Sequence, residues 1–135
     1  MKFEKYPQLQ RLKLTKGVSW CWFRDTALQR PIIFVVGVDT FAKAREAWKA
    51  IVGDPACLDK EGAFAGLHVA LMNGELLVGS VIFISIAEPD TVAHEVAHGV
   101  LRHMEYQSIS DEETICTFVS GWVSIFGRIF KWATK

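Results

Sequence analysis

The strongest constraint on the fold is a hairpin signal in the middle of the chain. An Asn73-Gly74 pair lies between two largely apolar segments, residues 66–72 and 75–86. Because both residues of the pair accept a positive φ, the pair favours a type I′ turn and predicts two antiparallel strands. Residues 78–86 are almost unbroken in apolar side chains, which is typical of a central strand or one that is well covered.

Two further strands and a helix are predicted before this hairpin. Residues 18–23 and 31–38 are rich in β-branched and aromatic residues and are separated by turn-forming residues, so they can form a second hairpin. Residues 40–52 place apolar side chains at helical spacing and predict an amphipathic helix. Asp54-Pro55 is expected to end that helix.

The composition limits the classes of protein to which the chain can belong. Half of the 135 residues are hydrophobic, so residues 1–135 are expected to form a single domain with its own core. We expect an α+β fold, with a small twisted, mainly antiparallel sheet packed against two helices that follow the central hairpin. The formal net charge is zero and no basic stripe is present, so no nucleic-acid partner is expected.

The motif that carries chemistry is His94-Glu95-Val96-Ala97-His98, an H-E-x-x-H sequence in the first of these helices. Side chains four residues apart on a helix differ by about 40° in direction, so His94 and His98 can bind one metal ion. Glu95 lies on the neighbouring stripe, where it can reach a metal-bound water without being a ligand. This arrangement predicts a zinc site, although the pattern also occurs by chance.

The helix that carries the motif is expected to run from Thr91 to about Met104, with Asp90 or Thr91 as its cap. His94 and His98 are expected at the border of its apolar face, half sheltered, with Glu95 and Arg102 further round. Gly99 costs about 1 kcal/mol in a helix relative to Ala, which suggests that another group passes close to it. The predicted apolar face comprises Val92, Val96, Ala97, Val100 and Met104.

A catalytic zinc ion normally has three protein ligands, so a third residue is needed. His103 follows His94 by nine residues, about 180° away on a continuous helix, and cannot join the pair unless the helix ends or bends. We expect His103 to support catalysis or contact the substrate. The alternative is an ordinary surface histidine.

The acidic residues at the start of the last helix are the other candidates. Glu112 lies about 75° from the centre of that helix's apolar face, whereas Glu113 points away from it. Glu113 also has the spacing of a capping box with Ser110. We favour Glu112 as the third ligand, with Glu113 as the alternative and Asp111 or no ligand left open. The apolar face comprises Ile115, Phe118, Val119, Trp122, Phe126 and Ile129.

Cysteine usage and hydropathy indicate the compartment. Cys21, Cys57 and Cys116 are an odd, widely spaced set, which predicts reduced and buried thiols in a cytoplasmic protein. No apolar leader is recognisable at the N-terminus. Residues 114–133 are aromatic and apolar, but their polar and charged residues favour a buried helix over a membrane-spanning or interfacial one.

Residues 91–103 resemble the ImmA/IrrE-like metallopeptidases of the glutamate-zincin group, whose minimal relatives occur in phages and mobile elements. In that family an apolar strand, here residues 81–86, leads into the H-E-x-x-H helix, and a further histidine corresponds to His103. An acidic cluster that opens the next helix supplies the third ligand, here Glu112 or Glu113. The chain departs from the family after this cluster, at residues 114–119.

The resemblance implies a zincin-like fold and a one-zinc peptidase acting on a protein or peptide substrate. Glu95 would act as general base toward a metal-activated water. For the oxyanion stabiliser, His103, Tyr106, Arg102 and His68 are all candidates. Two other interpretations stay open: an inactive metallopeptidase-like binding protein, and a membrane-associated protein that uses the aromatic C-terminal helix.

Overall fold

A computed structural model describes residues 10–11, 17–53 and 58–133 of the chain. Residues 1–9 and 12–16, Asp54-Pro55 and Cys57 lie outside the described residues. The described elements are β1 (Gln10–Arg11), β2 (Ser19–Asp25), β3 (Arg30–Val36), α1 (Phe41–Ile51), β4 (Gly66–Asn73), β5 (Leu76–Ile84), α2 (Pro89–Tyr106) and α3 (Glu112–Ile129).

The strands form one mixed sheet in the order β1-β2-β3-β5-β4. The two predicted hairpins are present as antiparallel pairs, β2 with β3 and β4 with β5. They are joined by a parallel pairing of β3 with β5, in which Ile32 lies opposite Ser80. The α+β class predicted from the sequence is therefore confirmed. Strand β5 is central, as expected, and β4 forms an edge of the described sheet.

Helices cover both faces of the sheet. Helix α1 packs on one face, where Val35 and Phe83 are fully buried. Helices α2 and α3 pack on the other, where Phe34 and Ile82 are fully buried. Burial of one such side chain contributes about 1.5–3 kcal/mol, so both faces contribute to stability. The predicted apolar face of α3 packs into the core that contains Phe34 and Ile82, where Trp122 and Phe126 are fully buried.

Local details differ from the sequence predictions at the central hairpin. Asn73 pairs with Leu76, so the turn residues are Gly74 and Glu75 rather than Asn73 and Gly74. The φ of Gly74 is +61°, while Asn73 is not among the described residues with positive φ. The expected Asn-Gly turn is therefore wrong. An irregularity between Leu71 and Met72 shifts the pairing by one residue before the turn.

The start of α2 and the capping residue of α3 also differ from the predictions. Helix α2 starts at Pro89, with Glu88 as its N-cap and no side-chain cap hydrogen bond. Proline is well suited to this position because it lacks the N–H that a helix start leaves unbonded. Asp111, rather than Ser110, caps α3 by accepting a hydrogen bond from the Thr114 backbone N–H at 2.9 Å.

Cys21 is buried, and burial raises the pKa of its thiol to about 12. Cys116 is exposed, so the expectation of a buried thiol is wrong there.

Among the described helices, none is long and apolar enough to cross a membrane.

Candidate metal centre

Helix α2 lies beside the edge strand β4, and two glycines allow the close approach. A Cβ atom on Gly66 would lie 2.5 Å from Cγ of Glu95. A Cβ atom on Gly99 would lie 3.1 Å from both the His68 and the Trp122 side chain. The group that the sequence suggested near Gly99 is therefore a pair of rings, one from β4 and one from α3.

The two histidines of the motif converge on one point. Nε2 of His94 and Nε2 of His98 are 3.1 Å apart, and their ring centroids are 4.7 Å apart. Two nitrogens bound tetrahedrally to one zinc ion, each at about 2.05 Å, are separated by about 3.3 Å. The observed separation is close to that value, so the pair fits a zinc ion with Nε2 as the ligand atom of each ring.

Glu95 is buried between the histidines and β4. Its side chain is 11% exposed, against 68% for His94, and its Oε1 lies 3.9 Å from Nε2 of His94. The ligand atoms of His94, Glu95 and His98 all lie within 4.8 Å of one another. The motif therefore presents two nitrogens and one carboxylate to a common centre.

The burial of Glu95, His94 and His98 on α2 is the reverse of what the sequence predicted. Glu95, expected away from the core, is buried, whereas His94 and His98, expected to be half sheltered, are exposed. The reason is that the buried face includes Glu95, Gly99 and His103 as well as the valines. The spacing of apolar residues placed the centre of the buried face too far from Glu95. Strand β4 covers Glu95, and the sequence of the helix alone does not reveal that contact.

The candidate third ligands lie elsewhere. Among the described residues, His94, Glu95 and His98 form the one group of potential ligands close enough together to hold an ion. Glu112 and Glu113 are exposed in the first turn of α3, and Asp111 is engaged in capping it. The hydrogen bonds from Thr114 lower the pKa of Asp111. The structure does not bring these carboxylates to the histidines, and the third ligand stays a prediction.

Two adjacent recesses flank Glu95 along β4. The first has a volume of about 430 Å³, and the second has about 380 Å³. They share Gly66 and Glu95, so the carboxylate lies between them. The first is lined by Gly66, Leu67, His68, Glu95, His98 and Arg102. The second is lined by Ala65, Gly66, Asp90, Thr91, His94 and Glu95.

His103 lies apart from the two exposed histidines and is fully buried. The alternative of an ordinary surface histidine is therefore wrong. Its Nε2 lies 2.7 Å from Oγ of Ser80, which in turn lies 2.8 Å from Nε2 of His68. Nδ1 of His103 lies 3.1 Å from Nη1 of Arg30. Whether His103 contributes to catalysis stays a prediction.

Both inner histidines have lowered pKa values. Burial, reinforced by the nearby Arg30 and Arg102, lowers the pKa of His103 from 6.5 to about 4. Burial, followed by the charges of His103, His98 and Arg102, lowers the pKa of His68 from 6.5 to about 4. Both rings are therefore neutral at pH 7.

Three residues of this region were missed in the sequence analysis. Ser80 is a fully buried hydroxyl in an otherwise apolar strand, and a polar residue in such a strand signals a need for a partner. Gly66 could have been noticed as a glycine at the start of a strand, where it often marks close backbone approach. Arg30 gave no signal, because its partner His103 is 73 residues away.

Comparisons with protein-family models, with curated proteins and with solved structures found no match to this chain.

Proposed function

We propose that the chain is a zinc-dependent metallopeptidase with a zincin-like arrangement of helix and edge strand. The observation that carries this proposal is the convergence of Nε2 of His94 and Nε2 of His98, 3.1 Å apart, beside the buried carboxylate of Glu95. Two imidazoles with a carboxylate suit zinc among the common divalent metals.

The residues divide the work between holding the ion and moving a proton. His94 and His98 would hold the zinc ion, with Glu112 proposed as the third ligand and Glu113 as its alternative. Zinc bound there would acidify a water molecule and polarise a carbonyl group. Glu95 would take the proton from that water and pass it to the leaving amine.

The position of Glu95 supports the role of general base. Contact with Gly66 on one side fixes the carboxylate against β4, so its side chain has little rotational freedom to lose during the reaction. The exposed histidines leave the centre open to a substrate. A base that is held in place beside an accessible ion is what metal-assisted hydrolysis requires.

The edge strand offers a way to align the substrate. Within the described sheet, β4 is hydrogen-bonded on one side only, to β5. An extended peptide can add to such an edge through main-chain hydrogen bonds. The recesses on either side of Glu95 would then receive side chains of the peptide. We therefore propose peptides in extended conformation as the substrate class.

The test compares Glu95→Gln with Glu105→Gln, an exposed change on the same helix. Digestion of a mixed peptide library by the zinc-loaded proteins is followed by mass spectrometry. We expect Glu95→Gln to retain zinc and to lose hydrolysis by roughly 10²–10⁴-fold, because proton transfer is removed. Glu105→Gln should match the wild type.

Equal turnover by wild type and Glu95→Gln would contradict the proposed mechanism. Zinc binding without hydrolysis of any peptide would contradict peptidase function and favour the inactive binding protein that the sequence analysis left open.

A further inference from the structure

A line of buried and half-buried polar groups runs from β3 to the cavity beside Glu95. It consists of Arg30, His103, Ser80 and His68, and we refer to these four residues as the buried network. Successive contacts in it measure 3.1, 2.7 and 2.8 Å. Ser80 and His103 are both fully buried. Polar groups in such a position must hydrogen-bond to one another, because water does not reach them.

The direction of every hydrogen bond in the buried network follows from its first member. The guanidinium group of Arg30 carries donors only, so Nδ1 of His103 must accept. A neutral His103 then has its proton on Nε2 and donates it to Oγ of Ser80. Among the described residues, Oγ of Ser80 has hydrogen-bond contacts only with these two histidines, so its single hydroxyl proton goes to Nε2 of His68, which accepts it. His68, also neutral, therefore carries its own proton on Nδ1.

Neighbouring side chains hold Arg30 and His103, the first two members of the buried network, in place. Arg30 donates a second hydrogen bond to Oε1 of Gln107 and lies 5.0 Å from the centre of the Tyr106 ring. The ring of His103 packs edge-on against Trp122 at 5.7 Å. Trp122 in turn donates a hydrogen bond to Asp25 at 2.8 Å. The C-terminal end of α2 and the middle of α3 therefore hold Arg30 and His103 in place.

His68 is the member of the buried network that faces the candidate centre. Its ring lines the same cavity as Glu95 and His98 and lies over Gly99. Nε2 is occupied by Ser80, whereas Nδ1 makes no hydrogen bond with a described residue. Nδ1 is not completely enclosed by the described residues either. An Nδ1–H there would be a donor with no partner among the described residues, on a ring that lines the same cavity as Glu95.

We propose that His68 presents its Nδ1–H to the carbonyl oxygen of the bound peptide, and that Arg30, His103 and Ser80 are positioning residues that fix this tautomer. This inference rests on the proposed function, and it names the oxyanion stabiliser that peptide hydrolysis needs. A neutral donor that is already oriented stabilises the developing negative charge without rearrangement during the reaction.

The first experiment reads the tautomer directly, in zinc-free protein at pH 7.5 that is labelled with ¹⁵N at histidine. Nitrogen–proton correlation spectra distinguish a protonated Nδ1 from a protonated Nε2, and the spectrum of His68→Gln assigns the signals. We expect His68 as the Nδ1–H form in the wild type. In Ser80→Ala the fixed donor is lost, so we expect a mixture of both forms. A wild-type His68 with its proton on Nε2 would overturn the proposal.

The second experiment uses two substitutions that replace one ring nitrogen each. The amide of Asn reaches the position of Nδ1, whereas the amide of Gln reaches the position of Nε2. His68→Gln should therefore keep the contact with Ser80 and lose the donor in the cavity. We expect it to lower kcat by roughly 10²–10³-fold, as for other oxyanion donors, with KM changed less than about 3-fold. His68→Asn should retain more of kcat.

Equal losses of kcat in His68→Asn and His68→Gln, or wild-type kcat in His68→Gln, would contradict the role of Nδ1. Circular dichroism and zinc content confirm that both variants are folded and loaded. If the wild type hydrolyses no peptide, the proposed function fails. In that case an Nδ1–H signal still supports the arrangement of the buried network, and an Nε2–H signal overturns it.

Discussion

At the scale of single residues, the candidate centre depends on two glycines. Gly66 and Gly99 have no Cβ, and this absence lets the Glu95 side chain and the His68 ring lie between α2 and β4. A methyl group at either position would meet atoms at 2.5–3.1 Å, which is inside van der Waals contact. The glycines therefore act on the site by setting the distance between the helix and the strand.

A substitution at Gly66 tests this role. We expect Gly66→Ala to displace the Glu95 carboxylate and to lower kcat, while His94 and His98 still bind zinc. Steady-state kinetics and zinc content are the measurements. Gly121→Ala is the matched control, because a Cβ there meets nothing within 4 Å and the change gains up to about 1 kcal/mol of helix propensity. Unchanged kcat in Gly66→Ala would show that the contact is unimportant.

Residue identities were only partly predictable from the sequence. The spacing of His94, Glu95 and His98 predicted a shared site, because a helix brings such positions together whatever surrounds it. The burial of Glu95 was not predictable, since it depends on Gly66 in a strand 29 positions earlier. Arg30 and Ser80 join His103 through tertiary contacts that leave no local pattern.

At the scale of elements, α3 contributes packing on one side and acidic residues at its start. Its N-terminus is capped by Asp111, whose carboxylate accepts hydrogen bonds from both the backbone N–H and the hydroxyl of Thr114. Glu112 and Glu113 follow in the first turn, where negative charge interacts favourably with the helix dipole. These acidic residues therefore have a structural role that is independent of any metal.

The identity of the cap can be tested by two neighbouring substitutions. Asp111→Ala removes the acceptor for the Thr114 backbone N–H, so we expect a lower melting temperature. Ser110→Ala removes the hydroxyl that a capping box would use, and it should leave the melting temperature nearly unchanged. Thermal unfolding followed by circular dichroism measures both. A larger decrease of the melting temperature in Ser110→Ala than in Asp111→Ala would support the capping box and contradict the observed cap.

The third metal ligand is tested by a second pair in the same turn. We expect Glu112→Gln to weaken zinc binding by about 10-fold or more and Glu113→Gln to leave it nearly unchanged, because Glu112 lies nearer the packed face of α3. Zinc dissociation constants from competition with a chelating dye measure both. Equal affinities in wild type and both variants would exclude a carboxylate from this turn.

The elements themselves were largely predictable, but their ends were not. Hydrophobic periodicity identified α1, α2, α3 and both hairpins, because it reports which faces must be buried. The start of α2 and the capping residue of α3 were predicted wrongly because several polar residues in each segment can cap a helix. Tertiary contacts decide which of them does. The parallel pairing of β3 with β5 was likewise unpredicted, since it joins strands separated by α1 and β4.

At the scale of the whole molecule, the site lies where one sheet edge meets the helical layer. The core on both faces of the sheet fixes β5, and β5 holds Ser80 and supports β4. The buried network therefore links the stability of the fold to the candidate centre through His103. Two neutral histidines inside the protein also make folding depend on pH.

Stability is expected to fall in acid because of these histidines. The pKa of His103 is lowered from 6.5 to about 4, so the unfolded chain binds a proton at higher pH than the folded protein does. The associated stability is complete above pH 6.5 and declines as the pH falls towards 4. For this fully buried residue the slope approaches about 1.4 kcal/mol per pH unit.

Urea unfolding of zinc-free protein at pH 7.5, 6, 5 and 4.5 measures this dependence. The shift of His68 has the same sign and adds to it. In His103→Gln the decline should be shallower, because one titrating group is gone. Identical pH profiles for wild type and His103→Gln would contradict the account of the buried histidines.

The measurement that tests the central claim most directly is the zinc content of the purified protein beside His94→Ala, by elemental analysis. We expect about one equivalent of zinc in the wild type and almost none in the variant, because loss of one ligand commonly destroys such a site. An absence of zinc in the wild type, even after zinc is added back and excess removed, would contradict the proposed metal centre and the peptidase function built on it.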